Sequence, residues 1–91
     1  MQFTLDRGKA ASNEKKHRIS FDEAVPVFYD PLAATFPDPD HPREGERFVT
    51  IGYSAKGRLL VVCHADQQAV VRLISARRAT AHERKRHEGQ A

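Results

Sequence analysis

The period of apolar positions changes twice along the chain. Met1–Leu5 alternates weakly, Phe3 and Leu5 against Gln2 and Thr4, which predicts a short strand. Asp6 then offers an N-cap to a polar helix running to about His17 through the helix formers Lys9, Ala10, Ala11, Glu14, Lys15 and Lys16. Ser20-Phe21-Asp22-Glu23 reads as a capping box, with the Ser20 hydroxyl accepting from the Glu23 amide and the Glu23 carboxylate reaching back to the Ser20 amide. Phe21, Ala24, Val25 and Phe28 follow at i, i+3, i+4 and i+7, one apolar stripe for a core. Pro26 falls inside that stripe, and its ring clashes with the carbonyl four residues back. The helix is therefore expected to be short or kinked, ending near Tyr29-Asp30-Pro31.

From Leu32 the period becomes that of strands. Leu32–Phe36 is a short candidate, and Pro37 to Glu46, acidic and with three prolines, is expected to be an exposed loop. Arg47–Ala55 and Arg58–Ala65 are strand-like runs joined around Lys56-Gly57, a hairpin signal. Val70–Arg77 is a third such run, linked through Asp66-Gln67-Gln68-Ala69. Thr80-Ala81-His82-Glu83 is a second capping box, opening a helix to about Glu88 with Gly89 as C-cap. That helix has no apolar stripe, so it is expected to be a surface element. The predicted fold is α+β over residues 1–91 as one domain: a small antiparallel sheet, two N-terminal helices on one face, and a C-terminal helix.

Composition narrows the function classes. Leu, Ile, Val and Phe make up 20 of 91 residues, just above the level, roughly 20%, below which a highly charged chain reads as disordered. No apolar run is long enough for a membrane span and no signal-peptide pattern opens the chain; a single cysteine, Cys63, fits a reducing cytoplasm. The net charge of +3 is unevenly spread: residues 1–46 carry −3 and residues 47–91 carry +6. A basic half of this kind attracts polyanions through counterion release, or serves as a solvated face.

The five histidines lack metal-ligand spacing, the five glycines form no phosphate-binding loop, and no nucleophile elbow is present; no metal or cofactor is expected. What remains is a basic constellation on the last strands and helix. If the last hairpin closes on Gln67-Gln68, His64 opposes Val71; a loop one residue longer sets it beside Arg72. Imidazole and guanidinium groups at His64, Arg72 and Arg77, extended by Arg78 and Arg84-Lys85-Arg86, match the needs of RNA cleavage. The 2′-hydroxyl attacks its own phosphate, a base and an acid move protons, and cations hold the charge of the transition state. Each residue also has a plain structural use: Glu83 as a cap, His64 as a strand histidine, Arg72 as an outward charge, Arg77 as a cap or a partner to a carboxylate such as Asp30 or Glu83 that holds the helix on the sheet, and Arg84 to Arg86 as a solvated helix face.

Phe3-Thr4-Leu5-Asp6, Lys9, Asn13, Lys16-His17, Ile19 to Ala24, Phe28-Tyr29-Asp30-Pro31-Leu32, Arg47 to Gly52, and above all Ile74-Ser75-Ala76-Arg77-Arg78-Ala79-Thr80 with Glu83-Arg84 resemble the BrnT toxin family across essentially the whole chain. Leu5, Arg18, Pro26 and His87 depart from the family pattern, His87 standing where the pattern ends in an aromatic residue. The resemblance implies a small bacterial ribonuclease toxin of RelE-like fold, held by a BrnA-like ribbon-helix-helix antitoxin through which the complex binds operator DNA.

Residues and resemblance together predict a cytoplasmic, metal-independent endoribonuclease of a type II toxin–antitoxin pair. Arg77 and Arg72 are expected on phosphate, His64 or Glu83 in proton transfer, and Arg78, Arg84, Lys85 and Lys16 along the RNA. Two other uses of the same patch are a non-catalytic nucleic-acid-binding module and a degenerate toxin serving only as a scaffold for its partner.

Overall fold

A computed structural model describes residues 1–41 and 46–89. Its elements run β1 (Gln2–Thr4), α1 (Arg7–His17), α2 (Phe21–Ala24) continued by a 3-10 turn (Val25–Tyr29), β2 (Ala34–Pro37), β3 (Arg47–Tyr53), β4 (Leu59–Gln67), β5 (Val70–Arg78) and α3 (Ala81–Gly89). The sheet has the order β1-β5-β4-β3-β2. Its four later strands are antiparallel as expected, while β1 adds to the edge parallel to β5, making the sheet mixed. A parallel neighbour requires a crossover, and α1 and α2, with the strands that follow them, supply it.

Both N-terminal helices cover one sheet face. Ile19, Phe21, Ala24 and Val27 pack on Leu60, Val62, Val71, Leu73 and Ala76 to form the main core. Asp6 caps α1, its carboxylate accepting from the Lys9 amide at 3.0 Å. The first capping box is only half made. Ser20 Oγ accepts from the Glu23 amide, but the buried Glu23 carboxylate turns instead to Arg58, Nε at 2.8 Å among its donors, and to the Ser54 hydroxyl at 2.8 Å. An ion pair with a buried carboxylate outweighs the cap, and these hydrogen bonds with Arg58 hold the Glu23 carboxyl below its ordinary range against the opposing effect of burial. Pro26 sits in the first turn of the 3-10 segment, so α2 tightens there rather than continuing.

Asn13, buried on α1, replaces a missing sheet partner. Its Nδ2 donates to the carbonyls of Ile19 and Ala76 at 2.9 and 2.8 Å, and its Oδ1 accepts from the Ala76 amide at 3.0 Å. The β4–β5 register differs from both expected alternatives. The hairpin closes on Gln68-Ala69, both with positive φ, 51° and 67°, so β4 extends to Gln67 and His64 lies opposite Leu73. A bulge between Leu73 and Ser75 shifts the register by one residue, leaving Ile74 unpaired. The loop after β2 is not wholly exposed, for Asp38 is buried, its Oδ1 accepting from the Asp40 amide. The expected loop positions Pro42, Arg43, Glu44 and Gly45 lie outside the described residues.

Candidate active site

The sheet face away from α1 and α2 carries Val49, Ile51, Leu59 and Val61. Over part of it lies a cavity of about 540 Å³, within the usual size of a small-ligand site, ~300–1,000 Å³. Val49, Ile51, Val61 and Cys63 line its sheet side. One wall is cationic and comes from the end of β5 and from α3: Arg77, Glu83, Arg86 and His87. Ala34, Phe36 and the Asp38 to Asp40 turn line it as well.

Helix α3 departs from the surface role its composition suggested. Glu83, Arg86 and His87, at i, i+3 and i+4, share the helix face that borders this cavity, and His87 is buried. A polar stripe thus does the work of an apolar one. The second capping box is complete: Glu83 Oε1 accepts from the Thr80 amide at 2.9 Å and Thr80 Oγ1 from the Glu83 amide at 3.2 Å. Tyr53 donates its hydroxyl to Glu88 at 3.0 Å, fastening the last turn to β3, and that hydrogen bond pushes the phenol pKa up.

Glu83 also takes Arg77 in a fork. Nη1 and Nη2 of Arg77 donate to its two carboxylate oxygens at 2.8 and 2.9 Å, and Nη1 donates once more to the Arg78 carbonyl at 3.2 Å. The hydrogen bond from Arg77 and those from Thr80 hold the Glu83 carboxyl down to about 2 despite partial burial, and Glu83 in turn pushes the guanidinium pKa up. A guanidinium presents five N–H groups. Three of Arg77's are used here, leaving the Nε–H and the second Nη2–H, side by side, without an acceptor among the described residues.

Of the residues expected at a site, the structure brings Arg77 and Glu83 together. Arg72 stands exposed on the same sheet face, since its neighbours Val71 and Leu73 enter the helix-covered core. Arg78 ends β5 in solvent; on α3 Lys85 is exposed and Arg84 is half-buried, 3.9 Å from Glu88. Lys16 is elsewhere, on α1 beside a second depression shared with Lys9, Asn13 and His17. His64 is not brought to Arg77. It points into the helix-covered side, 2% exposed, its ring edge-on to Phe28 and stacked near Phe48. Its Nε2 meets Thr50 Oγ1 at 2.7 Å and its Nδ1 meets Asp66 Oδ1 at 2.6 Å, so both nitrogens are occupied. The bulge at Ile74 breaks the alternation of β5, so Arg77 falls on the sheet face opposite to His64, Val71 and Leu73. Arg86 and His87 were not singled out at the cavity from sequence; the i+3 and i+4 spacing from Glu83 was the available signal.

No group of three or more His, Cys, Asp or Glu placed to hold a metal ion occurs among the described residues, and none of their helices is long and apolar enough to cross a membrane.

A family model described as the ribonuclease toxin BrnT of type II toxin–antitoxin systems matches residues 5–83. Among solved structures, that of the Brucella abortus ribonuclease toxin BrnT matches with a TM-score of 0.72 over 88% of this chain and 97% of that one, at 23% identity, a likeness of fold. No curated protein matches the sequence.

Proposed function

The chain belongs to the BrnT family of type II toxin–antitoxin ribonuclease toxins, and on that premise we propose that it is a cytoplasmic endoribonuclease that cleaves RNA without a metal ion, in the cavity bordered by Arg77 and α3. The observation that carries this reading is the geometry of Arg77. Its guanidinium is fixed by Glu83 and the Arg78 carbonyl, lines the cavity, and keeps two adjacent donors without an acceptor among the described residues. Such an edge matches a phosphate oxygen pair, and its orientation is set before RNA arrives.

In this reaction the 2′-hydroxyl attacks the adjacent phosphorus and the 5′-oxygen leaves, giving a 2′,3′-cyclic phosphate and a 5′-hydroxyl. Arg77 and Arg86 hold the charge that builds on the equatorial oxygens. Glu83 serves as the positioning residue for Arg77, since a carboxyl held near 2 and engaged by three donors is a poor proton acceptor at neutral pH. Arg72, Arg78, Arg84 and Lys85 supply phosphate contacts along the strand, and Lys16 a further one on the α1 side. A ribbon-helix-helix antitoxin silences the toxin and carries the pair to operator DNA. Incubating the purified protein with total RNA in EDTA tests the reading. Fragments ending in 2′,3′-cyclic phosphate support it, and a gel shift of intact RNA points to a binding module instead.

A further inference from the structure

The strand register lines up two rows of side chains across the cavity floor. Arg77 lies opposite Val61, Val61 opposite Ile51, and Ile51 opposite Ala34; in the next row Val49 lies opposite Phe36. All of these line the cavity, so its floor is apolar from β5 to β2, a width of three strand spacings or about 14 Å. The guanidinium groups of Arg77 and Arg86 stand at the β5 end. At the β2 end stand Phe36, an aromatic side chain left 44% exposed, and the carboxylates of Asp38 and Asp40. Asp38 is the unusual member, because it is 5% exposed and held on both sides. Its amide donates to the Arg47 carbonyl at 3.0 Å, and its carbonyl accepts from the His41 amide at 3.2 Å. Oδ1 accepts from the Asp40 amide, while Oδ2 has no donor among the described residues and is not sealed from solvent. A carboxylate this buried is costly to leave short of donors, and a ligand bearing N–H groups would complete it.

We infer that this cavity selects guanine: with the scissile phosphate on Arg77, the base of an adjoining nucleotide lies over Val61 and Ile51, stacks against Phe36, and donates its N1–H and N2–H to the Asp38 and Asp40 carboxylates. The inference rests on the ribonuclease reading of the same site. Charge sets the direction of the strand. Carboxylates repel phosphate, so the anionic backbone follows the wall of β5 and α3, and the neutral base extends toward β2. Specific contacts to single-stranded RNA take this form, an unstacked base held on an aromatic ring and read along its Watson–Crick edge. Stacking alone tolerates every base, so the carboxylates decide. Guanine is the one standard base with two adjacent N–H donors on that edge, the complement of neighbouring carboxylate oxygens. Uracil offers a single donor between two carbonyls. Adenine and cytosine set an amino group beside a ring nitrogen that a carboxylate repels.

The test uses the full chain and single-turnover cleavage, in EDTA, of oligouridine strands that each carry one guanosine, adenosine, cytidine or inosine. Wild-type protein is expected to cut at one fixed bond beside guanosine, about tenfold or more faster than beside adenosine or cytidine. Inosine keeps N1–H and lacks the 2-amino group, and should slow the cut about tenfold. Asp38→Asn keeps an oxygen for the Asp40 amide and replaces the open oxygen by an amino group. It should bring the ratio of guanosine to adenosine cleavage within about twofold, a ratio that a merely structural loss, slowing all strands alike, does not move. If Asp38→Asn does not fold, the inosine comparison on wild-type protein decides. Equal rates on all strands, inosine cut as fast as guanosine, or a folded Asp38→Asn variant with the wild-type ratio each overturn the inference and leave the ribonuclease reading standing. Wild-type protein that leaves these strands and total RNA uncut overturns the ribonuclease reading, and the inference falls with it.

Discussion

Arg77 and Glu83 join the end of β5 to the first turn of α3 through two parallel hydrogen bonds of 2.8 and 2.9 Å. The same carboxylate accepts the Thr80 amide. One side chain therefore caps a helix, docks it on the sheet and aims a guanidinium. Charge-assisted forks of this kind are stronger and more directional than neutral hydrogen bonds.

The pair gives stability an acid limb. Glu83 is held down to about 2 in the folded state against an ordinary 4.5. Its contribution is fully present above about pH 4.5 and is lost as pH falls towards 2. Both partners are about one-third exposed, so the contribution is modest, about 1 kcal/mol. Denaturant melts of wild type and Glu83→Gln should differ by that amount at pH 7 and converge near pH 2; a gap that stays constant with pH contradicts the assignment. Glu23, lowered by Arg58, shapes the acid limb of both proteins alike.

Asn13 is expected to matter to stability and to the site. Asn13→Ala strands the amide and carbonyl of Ala76 and the carbonyl of Ile19 in the interior, which predicts a loss of about 3 kcal/mol in chemical denaturation. Ala76 directly precedes Arg77, so residual folded protein should also cleave RNA more slowly.

Gly52 is required by close approach rather than by backbone conformation. A Cβ there would stand 3.0 Å from Ala33 Cβ, 3.1 Å from Val27 Cγ1 and 3.2 Å from an Asp30 oxygen that accepts the Tyr53 amide. Gly52→Ala should cost about 1–3 kcal/mol by overpacking, read as a lower melting midpoint.

RNA affinity should fall steeply with salt. Four phosphate contacts among Arg72, Arg78, Arg84, Lys85 and Arg86 predict a log–log slope of about −3 for single strands, at ~0.7 per contact. A flat response would make the basic half of the chain a solvated face.

Local patterns foretold most of the fold. Asp6 and Thr80 announced two helix starts, and the change from helical to strand period marked the sheet. The long-range consequences were less readable. Glu23 left its capping box for Arg58, thirty-five residues away, because a buried carboxylate seeks a cation more than an amide. The hairpin turn at Gln68-Ala69 carries no glycine to mark its positive φ, and the bulge at Ile74 has no local signature, so the partners of His64 and the separation of Arg77 onto the other face could not be deduced. Arg77 and Glu83 were expected at the site, and their pairing was the structural alternative the sequence offered for Arg77. His87 on the wall followed from helix periodicity only once α3 was seen to dock through a polar face.

The central claim is that Arg77 presents an oriented phosphate-binding edge at the cavity wall, and Arg77→Lys tests it most directly, because lysine keeps the charge and loses the fork. Single-turnover cleavage of a defined RNA in EDTA, with folded protein verified by its melt, should fall about a hundredfold, the scale of one lost transition-state donor. The melting midpoint should drop by no more than the modest value of the Glu83 pair. Cleavage at the wild-type rate per folded molecule, with stability lost, would contradict the account and leave Arg77 as a strut between β5 and α3.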